Sequence, residues 1–268
     1  MVDLRELLAD LADESADLDA RVSPLTPTEW EQPTPAPGWS IGHQIAHLAW
    51  TDHAALLAAT DADGFTALAA QAAEDPTGFV DRGAARFLAP APELLHHWRT
   101  GRLRLAMALT AVPAGTRLHW FGGARMSAAS MLTARLMETW AHGQDVADAL
   151  CVLRAPTARL RHIAHLGFRT LGHSFTTHGR PEPTAPVRIE LVAPNGATWS
   201  YGPVEAENRL SGPALDFCLL VTRRRHHADL DLLATGPVAE EWLEVAQAFA
   251  GPSGPGRPPA AAAASTAG

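Results

Sequence analysis

Four stretches in the first 150 residues repeat apolar side chains at helical spacing, and the segments between them are rich in proline and glycine. Residues 3–22 set Leu4, Leu7, Leu8, Leu11 and Leu18 on one face with acids opposite, the period of an amphipathic helix. Five prolines follow between residues 23 and 38, so this stretch reads as a loop. Ser40 can cap a second helix running to about residue 60. Residues 61–91 carry Gly, Pro and Asp breaks and give no single period. A third helix is expected over 92–112, ending at Pro113-Ala114-Gly115. The loop LHWFGGARM leads to Ser127 and a fourth helix to about residue 150. An apolar stripe must be buried against another element, so four such helices joined by loops predict a four-helix bundle.

The pattern changes after Pro156. Residues 157–178 read as helical, and RPEPTAP (180–186) as a linker. VRIELVA and ATWSYGP alternate apolar and polar residues around Pro194-Asn195-Gly196, a hairpin signal. EAENRLSG is a candidate third strand, and GPALDFCLLVTRR and VAEEWLEVAQAFA are two further helices. The expected class is therefore α+β: a helical bundle over 1–155 and a smaller α+β domain over 156–250. Residues 251–268 are of low complexity and are expected to be a disordered tail.

Charge and composition exclude several functions. The chain carries 29 acids against 21 bases, a net charge of −8, which disfavours binding to a phosphate backbone. All the bases are arginine. Without lysine there is no side-chain Schiff base, no P-loop lysine and no Ser-x-x-Lys pair. Richness in alanine, arginine and proline suggests a high-GC genome such as that of an actinobacterium. Cys151 and Cys218 form neither a disulfide framework nor a metal-binding Cys-x-x-Cys pattern. The acidic N-terminus is unlike a signal peptide, and no apolar run reaches the ~18 residues needed to span a membrane. A soluble cytoplasmic protein is expected, with neither nucleic acid nor a membrane as partner.

Two segments could carry chemistry. In RLMETWAHGQD, Glu138 and His142 lie one helical turn apart on one face, so a carboxylate oxygen and an imidazole nitrogen can converge on one ion. Asp145 continues the stripe, either orienting an imidazole or ending the helix. In GWSIGHQIAHLAW, His43 and His47 are also one turn apart, and either could supply a third ligand. Read alone, each segment has an ordinary explanation: an ion pair for Glu138 and His142, a buried core histidine for His47, a cap or solvent-facing residue for His43.

Taken together, the two segments resemble the DinB and mycothiol-dependent maleylpyruvate isomerase superfamily, in a branch described only as metal-binding. The resemblance covers most of residues 1–250. It implies an N-terminal DinB-like four-helix bundle and a C-terminal α+β domain related to sterol-carrier-like folds. In that family one ligand sits in a W-(x)7-H helix and two in an E-x-x-x-H helix. Residue by residue this implies His47, Glu138 and His142 as metal ligands, with Trp39 marking the register. His43 and Asp145 then become candidates for the shell around the ligands. Trp39, Trp50 and Trp120 are candidates for the pocket wall. A C-terminal-domain arginine that holds a substrate carboxylate would be Arg224 or Arg225, in the run Arg223-Arg224-Arg225-His226-His227.

The resemblance implies an enzyme with a divalent metal, zinc first among the options. Its metal would activate a thiol such as mycothiol, or polarise a substrate carbonyl, for isomerisation or thiol transfer on a small electrophilic carboxylate. One alternative is a thiol-independent hydrolase, lyase or cyclase of a specialised biosynthetic pathway. Another is a non-catalytic protein that binds metal or a small molecule. A homodimer is one assembly open to it.

Overall fold

The computed structural model describes residues 3–260. The chain divides into two compact units, Met1–Arg154 and Ala155–Gly268. In the first, α1 (Leu4–Val22) starts at Asp3, whose carboxylate accepts the Arg5 N–H at 2.9 Å. A one-turn helix α2 (Pro27–Trp30) carries a Thr26/Glu29 capping box. Then come α3 (Ile41–Thr60), α4 (Ala62–Glu74), α5 (Phe79–Phe87) and α6 (Ala91–Ala111). The loop before Ser127 forms a small hairpin of β1 (Leu118–His119) and β2 (Arg125–Met126), and α7 (Ala128–Ala149) closes the unit.

The long helices α1, α3, α6 and α7 form the helical body, with α3 against α5, α6 and α7, and α1 against α7. Leu18 and Val22 of α1 meet Ile41, Ile45 and Leu48 of α3, Leu94 and Trp98 of α6, and Val146 of α7 in one buried cluster. Each large apolar side chain buried there contributes roughly 1.5–3 kcal/mol. Asp19 ties α1 to α6 by accepting from Arg99 and from Arg102 at 2.9 Å. The hydrogen bond from Arg99 holds its carboxyl below the ordinary range.

Residues 61–91, aperiodic in sequence, are two helices. Asp61, which looks like a break, caps α4 by accepting the Gly64 N–H at 2.9 Å; Asp75, at the end of α4, accepts the Gly78 N–H at 2.9 Å, and α5 starts at Gly78 with no side-chain cap. Gly83 is needed for packing rather than for backbone conformation. A Cβ there would fall 2.3 Å from the Trp50 ring, so glycine lets α5 approach α3.

In the second unit, residues 157–178 form α8 (Leu160–Arg169) and α9 (Leu171–Thr177). Next come β3 (Val187–Val192), β4 (Thr198–Tyr201), β5 (Asn208–Pro213), α10 (Ala214–Val221), β6 (Leu233–Thr235) and α11 (Pro237–Val245). The sheet order is β4-β3-β5-β6. β3 and β4 are the expected hairpin, with Gly196 at φ 82° in the turn. β5 runs parallel to β3, and β6 antiparallel to β5. Val187, Ile189 and Leu191 alternate inward onto a core that includes Phe217 and Trp242. β6 is not foreseen in the sequence, because three residues are too few to show a period.

Part of the low-complexity tail is held in place. Arg223 donates to the Ser253 carbonyl, Gln247 Nε2 donates to Gly251 O at 3.1 Å, and the Ala260 N–H reaches the Asp229 carboxylate. These side chains supply the contacts that the composition of the tail lacks. Residues 261–268, the rest of the expected disordered segment, lie outside the described residues. Among the described residues no helix is long and apolar enough to cross a membrane.

Candidate metal centre

The loop before α3 sets the position of its first turn. Pro33 pairs with Ser40 as an antiparallel bridge, and the Thr34 N–H donates to Trp39 O at 2.8 Å. Ser40 then caps α3, accepting the His43 N–H, while His43 Nδ1 accepts the Ser40 N–H at 3.3 Å. His43 therefore completes a capping box. One turn later His47 is buried on the face of α3 that meets α7.

On α7, Glu138 and His142 project from consecutive turns. His142 Nε2 lies 3.1 Å and His47 Nε2 3.3 Å from the same oxygen, Glu138 Oε2. One ligand atom from each of the three residues falls within 4.8 Å of the others. The imidazole centroids are 4.4 Å apart. Two imidazole nitrogens and a carboxylate oxygen gathered in this way form a group that could hold a metal ion.

Burial by itself would raise the Glu138 carboxyl. Hydrogen bonds from His142 and His47, with the charges of His142 and Arg135, outweigh it and hold the group well below its ordinary value. Arg135 sits one turn before Glu138 in a buried network. Its Nε donates to Asp52 at 3.0 Å and its Nη2 to Thr51 Oγ1 at 2.7 Å. The Thr51 hydroxyl donates to His47 O at 2.8 Å, so the network reaches the backbone of His47. Burial pushes the Asp52 carboxyl up against the pull of Arg135.

Trp39 covers both imidazoles, with centroids 5.2 Å from His47 and 6.0 Å from His142. Its indole N–H donates to Asp81 on α5 at 2.9 Å, which fixes the ring. Trp50 lies 5.7 Å from His47 and is backed by Phe79 and Phe121. Trp120 stands further out, stacked on Phe65 at 5.8 Å and against Phe121 at 4.9 Å. Asp145 is buried on α7, beyond His142.

One residue close to the ligands is missed by the sequence reading. Gln44 is fully buried, and its Oε1 lies 2.5 Å from His142 Nδ1. The signal was an amide within an otherwise apolar helical run, one turn before His47.

Arg224 and Arg225 belong to the second unit, in the turn after α10. Arg223 opens that turn at φ 57°. Arg224 donates to Thr222 O and Arg225 to Arg224 O, each at 2.7 Å. Arg223, Arg225, His226, His227 and Arg257 help line a cavity of about 300 Å³ in this unit. Burial lowers the Arg223 guanidinium from its ordinary value, and burial with His226 lowers His227. Cys218 is fully buried and its thiol is pushed well up, so it is no nucleophile.

Comparison with known proteins adds a family to this geometry. Residues 11–147 match the family described as mycothiol maleylpyruvate isomerase N-terminal domain. Residues 183–235 match one described as wyosine base formation, which spans a fifth of the chain. Two uncharacterized proteins, from two strains of Mycobacterium tuberculosis, are each 55% identical over 258 residues, covering 96% of this chain and all of theirs. The crystal structure of the mycothiol-dependent maleylpyruvate isomerase aligns with a TM-score of 0.59 at 17% identity, over 89% of this chain and 96% of that one. A point mutant of that isomerase aligns at 0.56 and 17%, over 83% and 90%. At that identity the likeness is one of fold.

Proposed function

Because the chain belongs to the family of the mycothiol maleylpyruvate isomerase N-terminal domain, we propose that it is a metal-dependent enzyme acting on a small electrophilic substrate that bears a carboxylate. His47, Glu138 and His142 are the ligands in this reading. The observation that carries it is the convergence of three ligand atoms within 4.8 Å, from helices brought together across 91 residues of chain. The donor set fits a divalent ion, and zinc is the proposed metal, since catalytic zinc centres commonly use three His and Glu ligands and keep one position open. A divalent ion held there would supply Lewis acidity and favour the thiolate form of a thiol.

The chain's own residues supply the rest. Glu138, kept ionised, offers its charge to the centre, and His47 and His142 direct Nε2 toward the same point. Trp39 and Trp50 form apolar walls that limit water. Arg224 and Arg225 are the cations proposed to hold the substrate carboxylate, since a guanidinium can grip it through two parallel hydrogen bonds. His43 serves the helix start and Asp145 supports α7 near His142. The thiol in this reading is mycothiol. Its sulfur adds to an alkene carbon conjugated with a carbonyl, and the electron pair passes to the carbonyl oxygen. The carbon–carbon bond, now single, rotates. Return of the pair expels the thiolate and restores the alkene in the other geometry. Cytoplasmic location and a homodimer complete the reading.

The test is metal analysis of protein purified without chelator, beside His142→Ala, with turnover of a cis-enedione carboxylate followed with and without mycothiol. One equivalent of metal in the wild type, its loss in the variant and strict thiol dependence are expected. Absence of stoichiometric metal would overturn the reading. Turnover equal with and without thiol would replace the sulfur by water at the same centre.

A further inference from the structure

The two imidazoles of the proposed metal centre differ on their far sides. His47 Nδ1 is buried with no hydrogen-bond partner among the described residues. His142 Nδ1 meets Gln44 Oε1 at 2.5 Å. Gln44 Nε2 donates to Thr34 Oγ1 at 2.8 Å, and the Thr34 hydroxyl donates to Trp39 O at 2.8 Å. The same Thr34 oxygen accepts the Ala36 N–H at 3.3 Å.

These contacts give the chain a direction. A hydroxyl has one proton and two lone pairs. In Thr34 the proton is on Trp39 O and a backbone N–H takes one lone pair, so toward Gln44 the hydroxyl accepts. The amide therefore turns its NH2 to Thr34 and its carbonyl to His142. A carbonyl only accepts, so His142 holds a proton on Nδ1 toward Gln44. Nε2, 3.1 Å from the Glu138 carboxylate, is then the nitrogen that gives up its proton when a metal binds. Reversing the amide would draw the Thr34 proton off Trp39 O. It would also place the imidazole lone pair on Nδ1. The anchor is firm, because the Pro33–Ser40 bridge closes the loop and Gln32 Nε2 donates to Ala149 O at the end of α7.

We propose that Thr34 and Gln44 are positioning residues that fix the tautomer of His142 and so preset Nε2 as a metal ligand, an inference that rests on the centre being a metal site. Partners on the far nitrogen of a ligating histidine commonly hold its tautomer and orientation, and their removal typically costs roughly 10–100-fold in metal affinity. Among the described residues His47 has no such partner, so the chain acts on one ligand of the pair.

The test combines zinc affinity, measured by competition with a chromophoric chelator, with histidine ¹⁵N spectra of the metal-free protein at a pH above the ordinary histidine range. In the wild type the His142 resonances should show a proton on Nδ1. Gln44→Leu should weaken zinc binding roughly 10–100-fold and mix the tautomers. Gln44→Glu still accepts from Nδ1 and should keep the wild-type tautomer with affinity at least as high. Thr34→Val should give a smaller loss with mixed tautomers, and Thr34→Ser should restore both readouts. Absence of a proton from Nδ1 in the wild type would overturn the proposal, as would Gln44→Leu matching the wild type in both readouts. The two readings fail separately. If the wild type binds no zinc yet His142 is protonated on Nδ1, the metal reading falls and the relay stands. If zinc binds and Nδ1 carries no proton, the relay falls alone.

Discussion

The first unit buries Glu14, Asp52, Arg135 and Asp145, whereas the buried polar side chains of the second, His162, Ser174, Asn208, Thr222 and Gln247, include no acid and no arginine. In the second unit Arg180 meets Glu241 and Glu244 at the surface. The first unit also keeps His47, Gln44 and His142 inside its helical body. Taking charges out of water is costly, and pairing repays the cost only where the geometry is good. A fold carries such groups where they do something that apolar packing cannot. The contrast places the chemical interest of the first unit in its interior. In the second, Arg223, Arg225 and Arg257 line a cavity instead.

The largest expected effect falls on metal content. His47→Ala and His142→Ala should each lower bound zinc from one equivalent to near zero, read by metal analysis after dialysis. Arg180→Ala, a surface control in the other unit, should leave it unchanged. Equal loss in the control would break the contrast between the units.

The buried pair comes next. Asp52→Asn leaves the Arg135 guanidinium without its counter-charge, and such a change costs about 3–5 kcal/mol. Arg135→Met should cost less, because the Asp52 carboxyl, already pushed up by burial, can take a proton, whereas a guanidinium cannot give one up. Urea unfolding at neutral pH reads both. Arg135→Met proving the costlier change would show that packing, rather than charge, dominates there.

The acid limb of stability gives a finer measure. The Glu138 carboxyl is depressed in the folded protein below its ordinary value of 4.5. Its contribution is therefore present above that value and is lost as pH falls through the folded one. In metal-free protein the stability difference between wild type and Glu138→Gln should narrow on acidification. A difference independent of pH would mean the carboxylate is not held by charge. The smallest effect concerns the thiols: exposed Cys151 should react with a thiol reagent in the native protein and buried Cys218 only on unfolding.

The helical body and the shared face of Glu138 and His142 were legible because they depend on local period. Leu7, Leu18, Ile41, Ile45 and Leu94 fall inside as their spacing implies. Glu138 and His142 share a face because they are one turn apart. The helix α4 was hidden because Asp61 acts as its cap in the structure while reading as a break in the sequence, and α5 because it is nine residues long and starts at Gly78 without a side-chain cap. β6 was too short to register. Gln44 escaped notice because a lone amide in an apolar helix says nothing about which distant atom it meets. Trp120 was grouped with Trp39 and Trp50, yet only the latter two have ring contacts with the imidazoles among the described residues.

By itself the sequence determined the helical period, the capping serine at 40, the hairpin at Asn195-Gly196 and the absence of lysine chemistry, since each is read from composition or from neighbours within a few positions. It also put His43 and His47 on one helix face without choosing between them. Only the tertiary structure decided that His43 closes the helix start while His47 faces α7. Helix packing alone brings Glu138 within 3.3 Å of His47 across 91 residues. The direction of the chain from Trp39 through Thr34 and Gln44 to His142 was likewise decided there. Hydrogen-bond direction depends on which donors and acceptors meet in space, and no local period encodes that.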